Sequence, residues 1–190
     1  MTKTTVLNYG GISYRYRYDV TAPDNLDVRH CHDQYEILYV VSGTGKYIIE
    51  GTEYPIRPRT LTVIPPLEYH CVSLDSQSLY ERYVIRFSAS DLTEDARKLL
   101  TSFASDTDSH GSFYSEDSLA PFILSVFERF EYSESIPEEE RALYFKLMAT
   151  ELVLLLSVSK KENFLHDEDE LGARVIKYLN LDQETIEHIE

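Results

Sequence analysis

The sequence predicts a mainly β protein with α: a barrel or sandwich of short antiparallel strands, followed by a C-terminal helical subdomain. Three observations predict it. Residues 6–87 are short runs rich in Val, Ile, Tyr and Leu, punctuated by Gly and Pro. Past Phe87 the apolar spacing changes from a period of two to the threes and fours of helices. The chain has 190 residues, 43% of them hydrophobic, enough for one good core and too few for two full domains.

The strands come first. Val6 to Val20 contains Tyr14-Arg15-Tyr16-Arg17-Tyr18, whose alternation puts three tyrosines on one face and two arginines on the other. Tyr35 to Val41 is a strand closed by Gly43-Thr44-Gly45, which reads as a hairpin turn before Lys46 to Glu50. Gly51-Thr52 turns the chain into Glu53 to Arg57, and Leu61 to Ile64, His70 to Leu74 and Leu79 to Phe87 complete the series. Ser90 reads as the N-cap of a helix from Asp91 to about Phe103, and the polar stretch Ser105 to Ser112 as a loop. A second helix spans Ser118 to Glu131. Pro137 with Glu138, Glu139 and Glu140 suits the start of a third, running to about Ser159, since proline and acids are both favoured in a first helical turn. The tract His166 to Glu170 is acidic enough for a linker, and Leu171 to Leu179 begins another amphipathic helix.

Charge and hydropathy exclude some functions. The chain carries 33 acidic and 18 Lys or Arg side chains, a formal charge of −15. Binding a phosphate backbone requires a local excess of Lys and Arg, and no stretch supplies one, so no nucleic acid is expected to bind directly to this chain. The longest apolar run, Leu152 to Leu156, falls far short of the roughly 20 residues of a membrane span. The N-terminus has no apolar signal-peptide core, so the expected location is cytoplasmic, with no membrane partner. Cys31 and Cys71 are then expected as thiols, small core residues rather than a redox pair.

The segment His30-Cys31-His32-Asp33-Gln34-Tyr35-Glu36 carries the chemistry. Two histidines at i and i+2 on a strand point to one side, and Glu36 joins them if the pleat continues. His70 follows Pro65-Pro66 on a later strand. Three imidazoles and a carboxylate converging in a small barrel suit a divalent transition metal such as Zn, Ni, Fe or Mn; the alternative is a hydrogen-bonded polar cluster without metal. Tyr14, Tyr16, Tyr47 and Tyr54 are candidates to line a ligand pocket; the competing reading is that they pack with their hydroxyls at the rim.

His30, His32, Glu36 and Gly43 resemble the first cupin motif, and Pro65 and His70 the second. Asp24 and Leu67 stand where those motifs usually carry Gly. Residues 28–160, with Glu-Ile-Leu-Tyr-Val-Val-Ser-Gly after the histidines and Arg-Tyr-Val-Ile-Arg-Phe before the helices, are similar to the N-terminal sensor half of AraC-type transcription regulators.

That resemblance implies a cupin-like jelly-roll barrel over 1–88, a helical dimerisation region over 89–165, and over 166–190 a linker and the start of a DNA-binding domain. The segment Leu171 to Glu190 resembles the opening of that domain, the rest of which would lie beyond this chain. It also implies a small-molecule effector, a sugar being the favoured guess, and a homodimer. The third helix agrees, because Leu143, Leu147 and Leu154 belong to an apolar surface wider than the roughly 100° stripe one packed face needs. The function expected is therefore regulatory rather than enzymatic, a metal-dependent cupin enzyme being the alternative.

Overall fold

The computed structural model describes residues 2–21, 26–75, 79–104, 112–114 and 119–162. The acidic tract at 166–170, the helix expected from Leu171, and the third region of the expected division lie outside them.

Strands β1 (Thr2–Tyr9) and β2 (Ile12–Asp19) form a hairpin where the sequence suggested one run. Its turn, Gly10-Gly11, has φ of 59° and 83°, the mirror-image conformation whose twist suits a two-residue hairpin. A side chain at Gly10 would press on Ala142, so this turn also lets a helix approach closely. Then follow β3 (Tyr35–Ser42), β4 (Gly45–Ile49), β5 (Thr52–Ile56), β6 (Leu61–Ile64), β7 (His70–Leu74) and β8 (Tyr80–Phe87). A ninth strand, β9 (Ser112–Tyr114), pairs with β6 at the end of a stretch the sequence marked as loop. Only its tertiary partner reveals it, because three residues are too few to show a period.

The strands divide into a large sheet, ordered β1-β2-β8-β3-β6-β9, and a small one, β5-β4-β7. Gly43-Thr44-Gly45 is therefore not a hairpin turn: β3 pairs with β6 and β8, β4 with β5 and β7, and the glycines carry the chain from one sheet to the other. Gly43, at φ 117°, passes so close to the Tyr80 ring that a Cβ would sit 2.8 Å from it. The β4–β5 turn at Glu50-Gly51 agrees with the sequence reading.

Helix α1 (Glu94–Ala104) starts three residues later than expected. Ser88 to Asp91 forms a separate tight turn, closed by the Ser88 N–H donating to Asp91 Oδ2 at 2.8 Å. Thr93 rather than Ser90 then caps the helix, accepting from the Ala96 N–H at 3.3 Å. Helices α2 (Ala120–Phe130) and α3 (Glu138–Glu162) lie close to their expected bounds, with Pro137 immediately before α3.

The large sheet is buried on both faces at its centre, which is why β3 reads as a continuous apolar run rather than an alternation, while the edge strand β1 is largely exposed. Ile37 and Tyr39 face the helices, in a cluster with Tyr14, Tyr83, Phe127, Phe130 and Phe145. Leu38 and Val40 face the small sheet, with Tyr47, Ile49, Val72 and Tyr80. The fold is thus three layers: small sheet, large sheet, helices. No helix among the described residues is long and apolar enough to cross a membrane.

Candidate functional site

The histidine motif is assembled at a corner rather than along one strand. His30 makes a two-bond bridge with His70, N–H to carbonyl at 3.0 and 2.8 Å, which attaches this segment to β7 of the small sheet. The chain then bends through Asp33-Gln34 and enters β3, so Glu36 belongs to the large sheet. Sequence spacing alone suggested a single pleat, yet the same residues still converge because the corner folds them together.

His32, Glu36 and His70 offer ligand atoms within 4.8 Å of one another. The His30 ring lies against His70, with centroids 4.4 Å apart, but stands outside that group. All three imidazoles hold Nδ1 against a backbone carbonyl oxygen: His30 on Val28 at 3.0 Å, His32 on Gln34 at 2.8 Å, His70 on Glu68 at 2.8 Å. That arrangement fixes the rings and leaves Nε2 for another partner, as in metal-ligating histidines. His70 Nε2 is buried with no hydrogen bond among the described residues and stands 4.0 Å from Glu36 Oε1. Burial lowers the basicity of His70, although the Glu36 charge opposes it. An orphaned, inward-facing Nε2 suits a metal ion, and to that extent the residues fit one.

Glu36 is buried and already well supplied with donors. His32 Nε2 lies 3.2 Å from Oε2, Arg86 Nε donates to the same oxygen at 2.6 Å, and the Tyr47 hydroxyl donates to Oε1 at 3.0 Å. Burial alone would raise its pKa, but the His32 contact and the Arg86 charge hold it well below the usual carboxylate range. Leu67 has φ 69°, a left-handed conformation, at the position where the resembling motif has Gly. Its N–H donates to the His32 carbonyl at 2.7 Å, so the loop before His70 is tied to the motif.

Beside this cluster, between the two sheets, lies a cavity of about 400 Å³. One wall is made by alternate residues of β2 and β8: Arg15, Arg17, Arg82 and Arg86. Arg17 and Arg82 share the buried Asp19, at 2.9 and 3.0 Å. Arg15 is exposed at the edge of this wall, and partial desolvation with the three neighbouring guanidiniums lowers its pKa. Sequence reading placed these arginines opposite the tyrosines but assigned them no role; their alternation was the signal.

The four tyrosines separate. Tyr47 borders the cavity and holds Glu36. Tyr14 borders it as well, but its ring stacks on Phe130, centroids 5.1 Å apart, and its hydroxyl donates to Glu131 at 3.2 Å. Tyr16 packs on the helix-facing side against Tyr83, donating to Glu81 at 2.7 Å. Tyr54 is half-buried at the edge of the inter-sheet cluster. Cys71 is buried and borders the cavity, whereas Cys31, expected in the core, is exposed on the bent segment between His30 and β3. On α3, Leu143 and Leu147 are 60% and 51% exposed and Leu154 is half-buried.

A cavity between cupin-like sheets, bordered by His30 and Glu36 and with helices behind the large sheet, defines a ligand-binding barrel with a helical attachment. The chain belongs to the AraC-like ligand-binding domain family, whose model matches residues 13–155. No curated protein matches the sequence. Among solved structures it is similar to a cupin protein from Bacteroides fragilis, with 21% identity over 48% of this chain and 80% of that one, at a TM-score of 0.43. It is also similar to a cupin 2 conserved barrel domain protein from Salinispora arenicola, with 16% identity over 47% and 77% of the chains, at a TM-score of 0.38.

Proposed function

We propose that this chain is the small-molecule-sensing and dimerisation module of an AraC-type transcription regulator, acting in the cytoplasm. The observation that carries the reading is the two-faced strand β2. Arg15 and Arg17 line the cavity, while Tyr14 and Tyr16 between them pack beneath the helices. A ligand that draws on those arginines acts on the strand that seats α2 and α3, and it shifts the helices only by binding one arrangement better than the other. The exposed Leu143 and Leu147, with Leu154, form the surface on which a second copy would pack. In this reading residues 166–190 lead into DNA-binding helices, and the effector is a small molecule, with sugars among the candidates.

His32, His70 and Glu36, with His30, would hold a divalent transition metal, which would serve as a Lewis acid for an oxygen atom of the effector. The same group is the observation favouring the second reading, a metal-dependent cupin enzyme. An activity screen on metal-loaded protein that finds turnover would favour the enzyme.

Two measurements test the first reading. A thermal-shift screen of sugars, small acids and metals should find a stabilising ligand, worth about 2.7 kcal/mol at a hundred times its Kd, and that ligand should alter amide exchange in α2 or α3. In sedimentation the chain should be a dimer that Leu143→Glu with Leu147→Glu converts to a folded monomer, because both side chains are exposed in the single chain, its stability falling only by what association contributed. A wild-type monomer at micromolar concentration overturns the dimer.

A further inference from the structure

The charge balance of the cavity says more about what enters it. Before histidine is counted, the wall places four guanidiniums, Arg15, Arg17, Arg82 and Arg86, against two carboxylates, Glu36 and Asp19. Two positive charges are left over, in a chain whose formal charge is −15. Glu36 is engaged by Arg86, and Asp19 by Arg17 and Arg82. Among the described residues no carboxylate lies within ion-pair distance of Arg15. Arg15 is exposed and Arg17 and Arg86 are partly so, so water screens most of their repulsion. Arg82 is buried, and an anion entering beside it meets guanidiniums in excess of the carboxylates that pair with them.

A second observation points the same way. Tyr80 is fully buried and borders the cavity, and its hydroxyl has no hydrogen-bond partner among the described residues. Its ring carries the Arg82 guanidinium at 4.2 Å from the centroid, so an unused donor sits beside the arginine wall. A buried donor left unpaired costs free energy that an incoming acceptor oxygen recovers. Val6, Leu26, Leu38, Val72 and Val84 add apolar lining that suits a carbon skeleton, and Asn8, Ser13 and His30 add polar groups for its substituents.

We propose that the cavity takes a small organic oxyanion, a carboxylate or a phosphate monoester, whose charged end sits among Arg15, Arg17, Arg82 and Arg86 and accepts the Tyr80 hydroxyl. This rests on the sensing reading above and narrows its ligand class from any small molecule to an anion. Planar, forked guanidiniums match both oxyanions, so the head group selects between them only by size and charge.

The test uses the 190-residue chain, stripped with a chelator and dialysed so that no metal contributes, and compares glucose, glucuronate and glucose 6-phosphate at matched ionic strength. Thermal shift and calorimetry should show stabilisation by at least one anion and none by glucose, the better anion identifying the head group. Arg15→Gln, chosen because Arg15 holds no structural pair, should weaken that binding about 10- to 100-fold with the fold intact. Without ligand it should leave the melting temperature unchanged or raised, because a repelling charge is gone. Tyr80→Phe should weaken binding less. Glucose binding as well as its anions, anion binding that survives Arg15→Gln, or no binding by either anion each overturns the inference. The sensing reading fails separately, if an Arg15-dependent anion binds and leaves amide exchange in α2 and α3 unchanged.

Discussion

Arg86 stands directly across from Glu36 in the β3–β8 register, and its Nε donates to Glu36 Oε2 at 2.6 Å. The carboxylate at the centre of the histidine cluster thus has a permanent cationic partner supplied by the neighbouring strand. Breaking that pair leaves Glu36 buried with less compensation. Arg86→Met should destabilise the chain by about 2–3 kcal/mol, below the roughly 3–5 kcal/mol of a fully buried pair, since the arginine side chain is 33% exposed. Urea unfolding measures it, and adding Glu36→Gln should restore part of the loss. Strict additivity of the two substitutions would show that the pair is not coupled.

Asp19 sets an acid limb of stability. Its burial favours the neutral form, but hydrogen bonds and charge from Arg82 and Arg17 outweigh that and lower its pKa. A carboxyl depressed in the folded state stabilises above its unfolded pKa of about 3.9, and the contribution fades as pH falls from there through the folded value. Asp19→Asn should therefore be less stable than wild type near pH 7, with the gap closing below about pH 4. A gap independent of pH would assign the loss to packing instead.

Leu67 holds φ 69° while its side chain is 68% exposed. The left-handed conformation costs a residue with Cβ roughly 1–2 kcal/mol, and glycine gives part of that back as chain entropy. Leu67→Gly should be neutral to stabilising, by up to about 1 kcal/mol. A clear loss of thermal stability would mean that the leucine packs on something in solution.

The imidazole arrangement predicts metal retention. Protein from metal-supplemented cells should carry a stoichiometric divalent ion by elemental analysis, and His32→Ala or His70→Ala should lose it together with some thermal stability. Metal-free wild type from such cells would leave the cluster as a hydrogen-bonded set around Glu36.

Much of this was legible in residue order. Period-two alternation in Tyr14 to Tyr18 separated the two faces of β2, Pro137 with its three glutamates located α3, and the histidine motif pointed to His32, Glu36 and His70, whose ligand atoms lie within 4.8 Å of one another while His30 stands outside that group. These are local or motif properties, carried by spacing along a single chain segment. Which sheet each strand joins is not. Gly43-Thr44-Gly45 has hairpin composition yet crosses between sheets, and Ser112–Tyr114 becomes a strand only because β6 has a free edge beside it. The arginine wall is of the same kind. Arg15 and Arg17 lie some 65 residues from Arg82 and Arg86, and nothing local indicates that β2 and β8 pair, so that their alternate residues face one cavity. Periodicity determined which side chains share a face; long-range pairing, set by the burial of both faces of the large sheet, decided what each face meets.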